Sequence, residues 1–240
     1  MKKSMIMGMV IGATLLFTTG CNSIVTADVK EENILVKRDK AKELDVELNL
    51  GAGKLTVTNG AKEWVEGSIN TNIKDLEPEV SYSLDGKKGE VVIEQTKNKF
   101  KNFKLGDLEN DWNLELSDDI PMNLDVNAGA ANTNLGLKGI ELKNLNINAG
   151  VGNLTVDLGG KWKESFDASI KTGVGKTTII LPSDVGVKIV SNKGIGSTNV
   201  VDFISKGDGV YVNEAYEDAK VKLTVKTDMG VGEVTFKLDK

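Results

Sequence analysis

The sequence predicts an all-β protein, a stacked β-solenoid of the β-helix kind built from coils of about 21 residues. Three observations predict it. Gly-x-Gly followed by a β-type run occurs at 51–57 (GAGKLTV), 150–156 (GVGNLTV), 173–179 (GVGKTTI), 194–200 (GIGSTNV) and 230–236 (GVGEVTF). A sixth copy at 129–135 (GAANTNL) carries Ala131 in place of the second glycine, and the middle copies recur at spacings of 21, 23 and 21 residues. Strict apolar/polar alternation runs into and out of each copy, the period of a half-buried strand. No stretch beyond the leader shows a capped helical stripe.

Each segment follows in order. Lys2 and Lys3 precede an apolar stretch, Met5 to Phe17, too short to span a bilayer as a mature helix. T-T-G-C at 18–21 resembles a bacterial lipobox, with Thr18 where Leu is usual. The resemblance implies removal of residues 1–20 as a lipoprotein signal peptide. It also implies a diacylglyceryl thioether on Cys21, with acyl chains such as palmitate. An ordinary secretory signal is the alternative. Cys21 is the only cysteine, so no intramolecular disulfide forms. Residues 21–42 are polar and mixed in charge and read as the lipidated tether. From Glu43 alternation begins, and 43–240 is expected to form the solenoid domain, with insertions at 58–123 and 201–220.

Two strands joined by a glycine corner make one coil. Glycine is required where the backbone takes positive φ or where stacked corners approach closely. Alignment on the first glycine puts Asn49, Asn127, Asn148, Lys171, Asn192 and Asp228 in one column. Thr56, Asn134, Thr155, Thr178, Asn199 and Thr235 fill another. Such columns can form hydrogen-bonded ladders. Within 58–123 further strand signals lie at 65–69, at 80–84 before an Asp85-Gly86 turn, and at 90–94. Between Asn98 and Asp119 the pattern becomes irregular: a lysine-rich run, then Asp107, Glu109, Asp111, Glu115, Asp118 and Asp119. The second insertion carries an Asp208-Gly209 turn.

The chain's net charge is −5, and −7 without Lys2 and Lys3; Arg38 is the only arginine. An acidic, arginine-poor surface clamps phosphates weakly, so nucleic acid is not an expected partner. The absence of histidine removes imidazole triads and imidazole metal ligands. G-V-G-K-T-T at 173–178 imitates a P-loop, but Ile170 stands where the first glycine belongs and the run continues as strand. Asp125 and Asp167 are outward carboxylates at unmatched repeat positions, which does not make a glycosidase pair. The acidic run lacks the spacing of a calcium loop and reads as a solvated face. Trp64, Trp112 and Trp162 could stack on sugars, but read better as plugs of a narrow core.

Residues 112–156 resemble the bacterial toast-rack domains. Residues 219–236 resemble the related C-terminal domain of cell-wall-active-antibiotic response proteins. The resemblance implies a β-helix-like envelope domain and brings no catalytic residues. The expected function is therefore a lipid-anchored, extracytoplasmic binding or structural module on the cell membrane, without a cofactor or metal. It is not expected to be an enzyme. An accessory or sensor of envelope stress is one alternative, a polysaccharide-active enzyme another. A cell-wall polymer or envelope protein is the expected partner beyond the membrane. Binding is expected to map to the insertions, through Phe100, Phe103, Trp112, Tyr211 and Tyr216, because regular coils are constrained by stacking.

Overall fold

The computed structural model describes residues 29–72, 77–95 and 109–239. Among them the chain is nearly all β, with one short 3-10 turn at Glu214–Tyr216. Alternation builds the expected strands. β1 (Lys30–Val36) precedes β2 (Glu43–Asn59), which buries Leu44, Val46, Leu48 and Leu50 before its glycine corner and Leu55 and Val57 after it. The excursion after β2 holds β3 (Val65–Thr71), β4 (Pro78–Asp85), β5 (Lys88–Gln95) and β6 (Asn110–Leu116). The two-arm plan returns in β7 (Met122–Gly136), and is interrupted at the corner in β8 (Leu142–Val151) and β9 (Leu154–Asp157). It returns again in β10 (Phe166–Leu181), β11 (Gly186–Val200) and, after β12 (Ile204–Gly207) and β13 (Val210–Val212), in β14 (Lys222–Leu238). Each buried Leu, Ile or Val contributes about 1.5–3 kcal/mol. Returning segments add Leu137, Ile140, Leu158 and Leu181 to the same core.

The two-arm strands stack in parallel and in register. Asn49 lies on Asn127, Asn127 on Asn148 and Asn148 on Lys171. The expected columns are therefore real. Their order departs from the sequence at the end. β14 inserts between β10 and β11, so Lys171 neighbours Asp228, and Asp228 neighbours Asn192. Copies that share one register are interchangeable as neighbours, and the long connection 201–221 lets the chain return inside β11.

The excursion 58–123 is not a side insertion. β5 and β6 each pair in parallel with one arm of β2, forming a split outer tier. β4 turns at Asp85-Gly86 and pairs antiparallel with β5, while β3 pairs antiparallel with β6 and β1 with β3. The stretch read as irregular up to Asp119 contains strand β6, whose Trp112, Leu114 and Leu116 alternate inward. Its acidic residues masked that alternation. The tether is also shorter than expected: β1 lies inside 21–42, and Ile34, Val36 and Ala41 are buried. At the other end β12 and β13 form the hairpin expected from Asp208-Gly209, and β13 covers the first arm of β11.

Both roles expected of glycine occur, in separate columns. The first glycine makes a close approach: a Cβ on Gly150 would lie 2.5 Å from the carbonyl oxygen of Gly129. The second also needs positive φ: Gly175 has φ +150°, and its Cβ would lie 1.8 Å from the Gly152 oxygen. Ala131 is not among the positive-φ residues, which is why that copy tolerates a side chain there.

Candidate functional site

The outward face of the first arms is polar and open to solvent. Its side chains are tied across tiers at one-strand spacing. Asn148 donates to Asn127 (2.9 Å) and Asn127 to Asn49 (2.8 Å). A neighbouring row runs from Asn144 to Asn123 (2.8 Å) and from Asn123 to Asp45 (2.8 Å). Between them Asn146 donates to Asp125 (2.8 Å). Lys88 pairs with Asp45 (2.7 Å) and Lys143 with Glu43 (3.1 Å) at the margin. An asparagine amide both donates and accepts, so each residue passes the hydrogen bond along the column. The result is a fixed grid of amide and carboxylate groups. Asp125 and Asp167 belong to this face, in adjacent columns two strands apart, since Asp125 registers with Asn146 and Asp167 with Asn144.

A second feature is a hollow of about 160 Å³ beside Trp162, bordered by Pro121, Glu141, Lys143, Lys163 and Glu164. The Trp162 indole donates to the Leu158 carbonyl (2.8 Å) and packs on Phe166 with ring centroids 4.5 Å apart. Glu141 faces Lys163 at 3.4 Å.

A third cluster locks the segment after β1 onto the outer tier. Asp39 accepts from the Ala41 N–H (2.9 Å), the Trp64 indole (3.3 Å) and the Tyr82 hydroxyl (2.8 Å). Burial pushes the Asp39 carboxyl up, but these hydrogen bonds outweigh it and hold the group below its usual range. Burial, reinforced by Asp39, pushes the Tyr82 hydroxyl well above the usual phenol range. The Arg38 guanidinium stacks on Trp64, 5.1 Å from the ring centroid, and binds Asp119. Arg38, with the Ser117 hydroxyl, holds Asp119 below the usual carboxylate range.

Among the described residues expected to bind, Trp112 is not brought together with Tyr211. Trp112 is fully buried and donates its indole N–H to Asn110 (3.0 Å), so its assignment to binding is corrected: it is core. Trp64 and Trp162 are buried as well, as plugs of the core. Tyr211, on β13, is partly buried against the core opposite Ile189. Tyr216 carries Lys222 over its ring at 4.7 Å. β6 and β13 stand near opposite ends of the stack, about 34 Å apart at one strand spacing per tier. Phe100 and Phe103 lie outside the described residues. Sequence reasoning found the asparagine column but not its neighbours at Asn123, Asn144 and Asn146, because those residues sit two and four positions upstream of the aligned column. The P-loop-like Lys176 sits in strand β10 and pairs with Glu233 at 3.3 Å. Among the described residues no acidic cluster has the geometry of a metal site, and no helix is long and apolar enough to cross a membrane.

Residues 25–180 match the profile of the N-terminal domain of toast_rack, DUF2154. Residues 131–236 match the C-terminal domain of the cell wall-active antibiotics response protein LiaF. A crystal structure of a candidate cell adhesion protein from Clostridium sporogenes is 32% identical over 88% of this chain and 100% of that chain, with a TM-score of 0.86. A candidate adhesin from Bacteroides fragilis is 12% identical over 86% of this chain and 97% of its own, with a TM-score of 0.31. Comparison with curated protein sequences gives no significant match.

Proposed function

Because the chain belongs to the toast-rack family, whose N-terminal domain it matches over residues 25–180, we propose that it is an extracytoplasmic module of the cell envelope. In this reading Cys21 carries a lipid that holds it to the membrane, and the stacked domain is a β-solenoid. The module is structural and adhesive rather than catalytic.

The hydrogen-bonded grid Asn49–Asn127–Asn148 carries the proposal. A rigid array of amides and carboxylates offers donors and acceptors at a regular spacing of about 4.8 Å along the stack. That chemistry suits a hydroxyl-rich polymer of the cell wall. An open, solvated face suits adhesion better than catalysis, which needs a water-excluding cleft. The cell adhesion assignment of the Clostridium relative agrees with this reading. The test pairs membrane fractionation of wild type and Cys21→Ala with co-sedimentation on purified cell-wall fragments. Cys21→Ala is expected to leave the membrane fraction. Asn127→Ala with Asn146→Ala is expected to lose retention on the wall while the fold, weakened by the lost ladder bonds, is retained. Equal retention by that variant overturns the binding face.

A second reading, an accessory of the envelope stress response, is favoured by the match of residues 131–236 to an antibiotic-response domain. A rise in protein level under wall-active antibiotics, and altered sensitivity on deletion, are its expected signatures.

A further inference from the structure

The middle residue of every Gly-x-Gly corner is apolar, and it points into solvent. In stacking order the column reads Ala52, Ala130, Val151, Val174, Val231, Ile195. The last four are 57%, 48%, 44% and 74% exposed, half of all the large hydrophobics exposed among the described residues. Glycines on both sides leave the column standing as a ridge between two shallow backbone grooves. Five steps of one strand spacing make it about 24 Å long. Coil closure does not explain the apolar side chains, since a polar residue turns the same corner. An aligned, uninterrupted apolar strip marks a contact surface.

We propose that this ridge packs, antiparallel, against the same ridge of a second copy of the chain. Three observations select that occupant. The first is period: another β-stack repeats at the same spacing along the whole length of the ridge. The second is the gradient of size. A two-fold axis across the middle sets Ala52 against Ile195 of the second copy, Ala130 against Val231 and Val151 against Val174. The small end of each ridge meets the large end of the other. A parallel pair would set Ile195 on Ile195 and leave a gap between the alanines. The third is charge. In the antiparallel arrangement Lys171 faces Asn148 and Asp228 faces Asn127 along the open rim of one flank, and the Asn146 and Asn123 columns further from the ridge stay free for the wall. On the other Lys176 faces Asn153, Glu233 faces Asn132 and Lys54 faces Ser197. No two like charges stand directly opposite. The aliphatic ridge offers no aromatic platform to a sugar.

The strip covers a few hundred Å² per copy, short of the roughly 800 Å² per partner of a standard stable interface. The pair is therefore weak in dilute solution and forms where copies are concentrated on one membrane. That last clause rests on the anchored reading above.

Cysteine cross-linking tests it in the full chain, whose only other cysteine is Cys21. Ala52→Cys, Ile195→Cys, the double variant and the off-ridge control Lys206→Cys are treated in native membranes with a short bismaleimide. In an antiparallel pair the double variant gives a dimer, at least tenfold above either single variant and the control. Both single variants stay monomeric, because equivalent residues lie at opposite ends. Dimer from Ile195→Cys alone overturns the arrangement. No dimer from the double variant, or cross-links only to other proteins, overturns the proposal. The same samples are fractionated. If the protein is not in the membrane fraction, the anchor fails separately, and the cross-link is read on concentrated protein with the same outcomes.

Discussion

Asn192 donates a hydrogen bond to Asp228 at 3.0 Å, although 36 residues separate them and Lys171 is nearer in sequence. The bond joins β11 to β14 and reports where, among the two-arm strands, stacking order and chain order part. Thr227 reinforces the same junction by donating to the Ser191 hydroxyl at 3.1 Å.

Gly175→Val is expected to cost about 3–5 kcal/mol, or to prevent folding, because both the positive φ and the Gly152 carbonyl forbid the side chain. Gly60→Ala also strains a positive φ, +105°, but meets nothing within 4 Å, and is expected to cost only about 1–2 kcal/mol. Denaturant unfolding of the two variants ranks them.

Trp112→Ala is expected to destabilise by about 3–5 kcal/mol. The lost side chain leaves a cavity in the outer tier, and the Asn110 side-chain Oδ1 loses its indole donor. Thermal unfolding should show the loss, whereas a surface binding residue would leave the melting temperature unchanged.

The Thr133 hydroxyl is buried without a hydrogen-bond partner. It sits in an inward column between Leu55 and Leu154. Thr133→Val keeps the shape and removes the orphaned group, so a gain of about 1 kcal/mol is expected. Equilibrium unfolding midpoints check the sign.

Two pH limbs follow from the cluster at Asp39. Asp39 and Asp119 have folded values below the usual 3.8, so their contribution is present above about pH 4 and is lost as pH falls further. Arg38 and Asp119 are partly exposed, which limits that pair to about 0.5–1 kcal/mol. Tyr82 has a folded value above the usual 10.0, so its contribution is present below pH 10 and is lost as pH rises beyond it. Asp119→Asn should flatten the acid limb and Tyr82→Phe the alkaline limb in stability measured against pH.

Local physics made much of this legible. Period two placed the arms around Leu48 and Val126, and alignment on glycine placed Asn127 over Asn49, because register is a property of spacing. Neighbour choice is not: Gly194 and Gly230 open the same local pattern, and only tertiary pairing puts Gly230 next to Gly173. Trp112 misled because charge in its neighbours was read as exposure of the whole segment, while alternation in β6 buries every second residue. The exposed x of each Gly-x-Gly was in plain view at Val151 and Ile195.

The position of β14 bears on how the chain acquires its shape. β10 and β11 follow one another closely in sequence, yet β10 has only β8 and β9 beside it, and β11 only β13, until residues 222–238 arrive. A repeat array that adds tiers in order can begin to fold as its first coils emerge. Here the C-terminal half waits for its last strand. A truncation before Lys222 would not shorten the stack by one coil; it would leave two long parallel edges open in its middle.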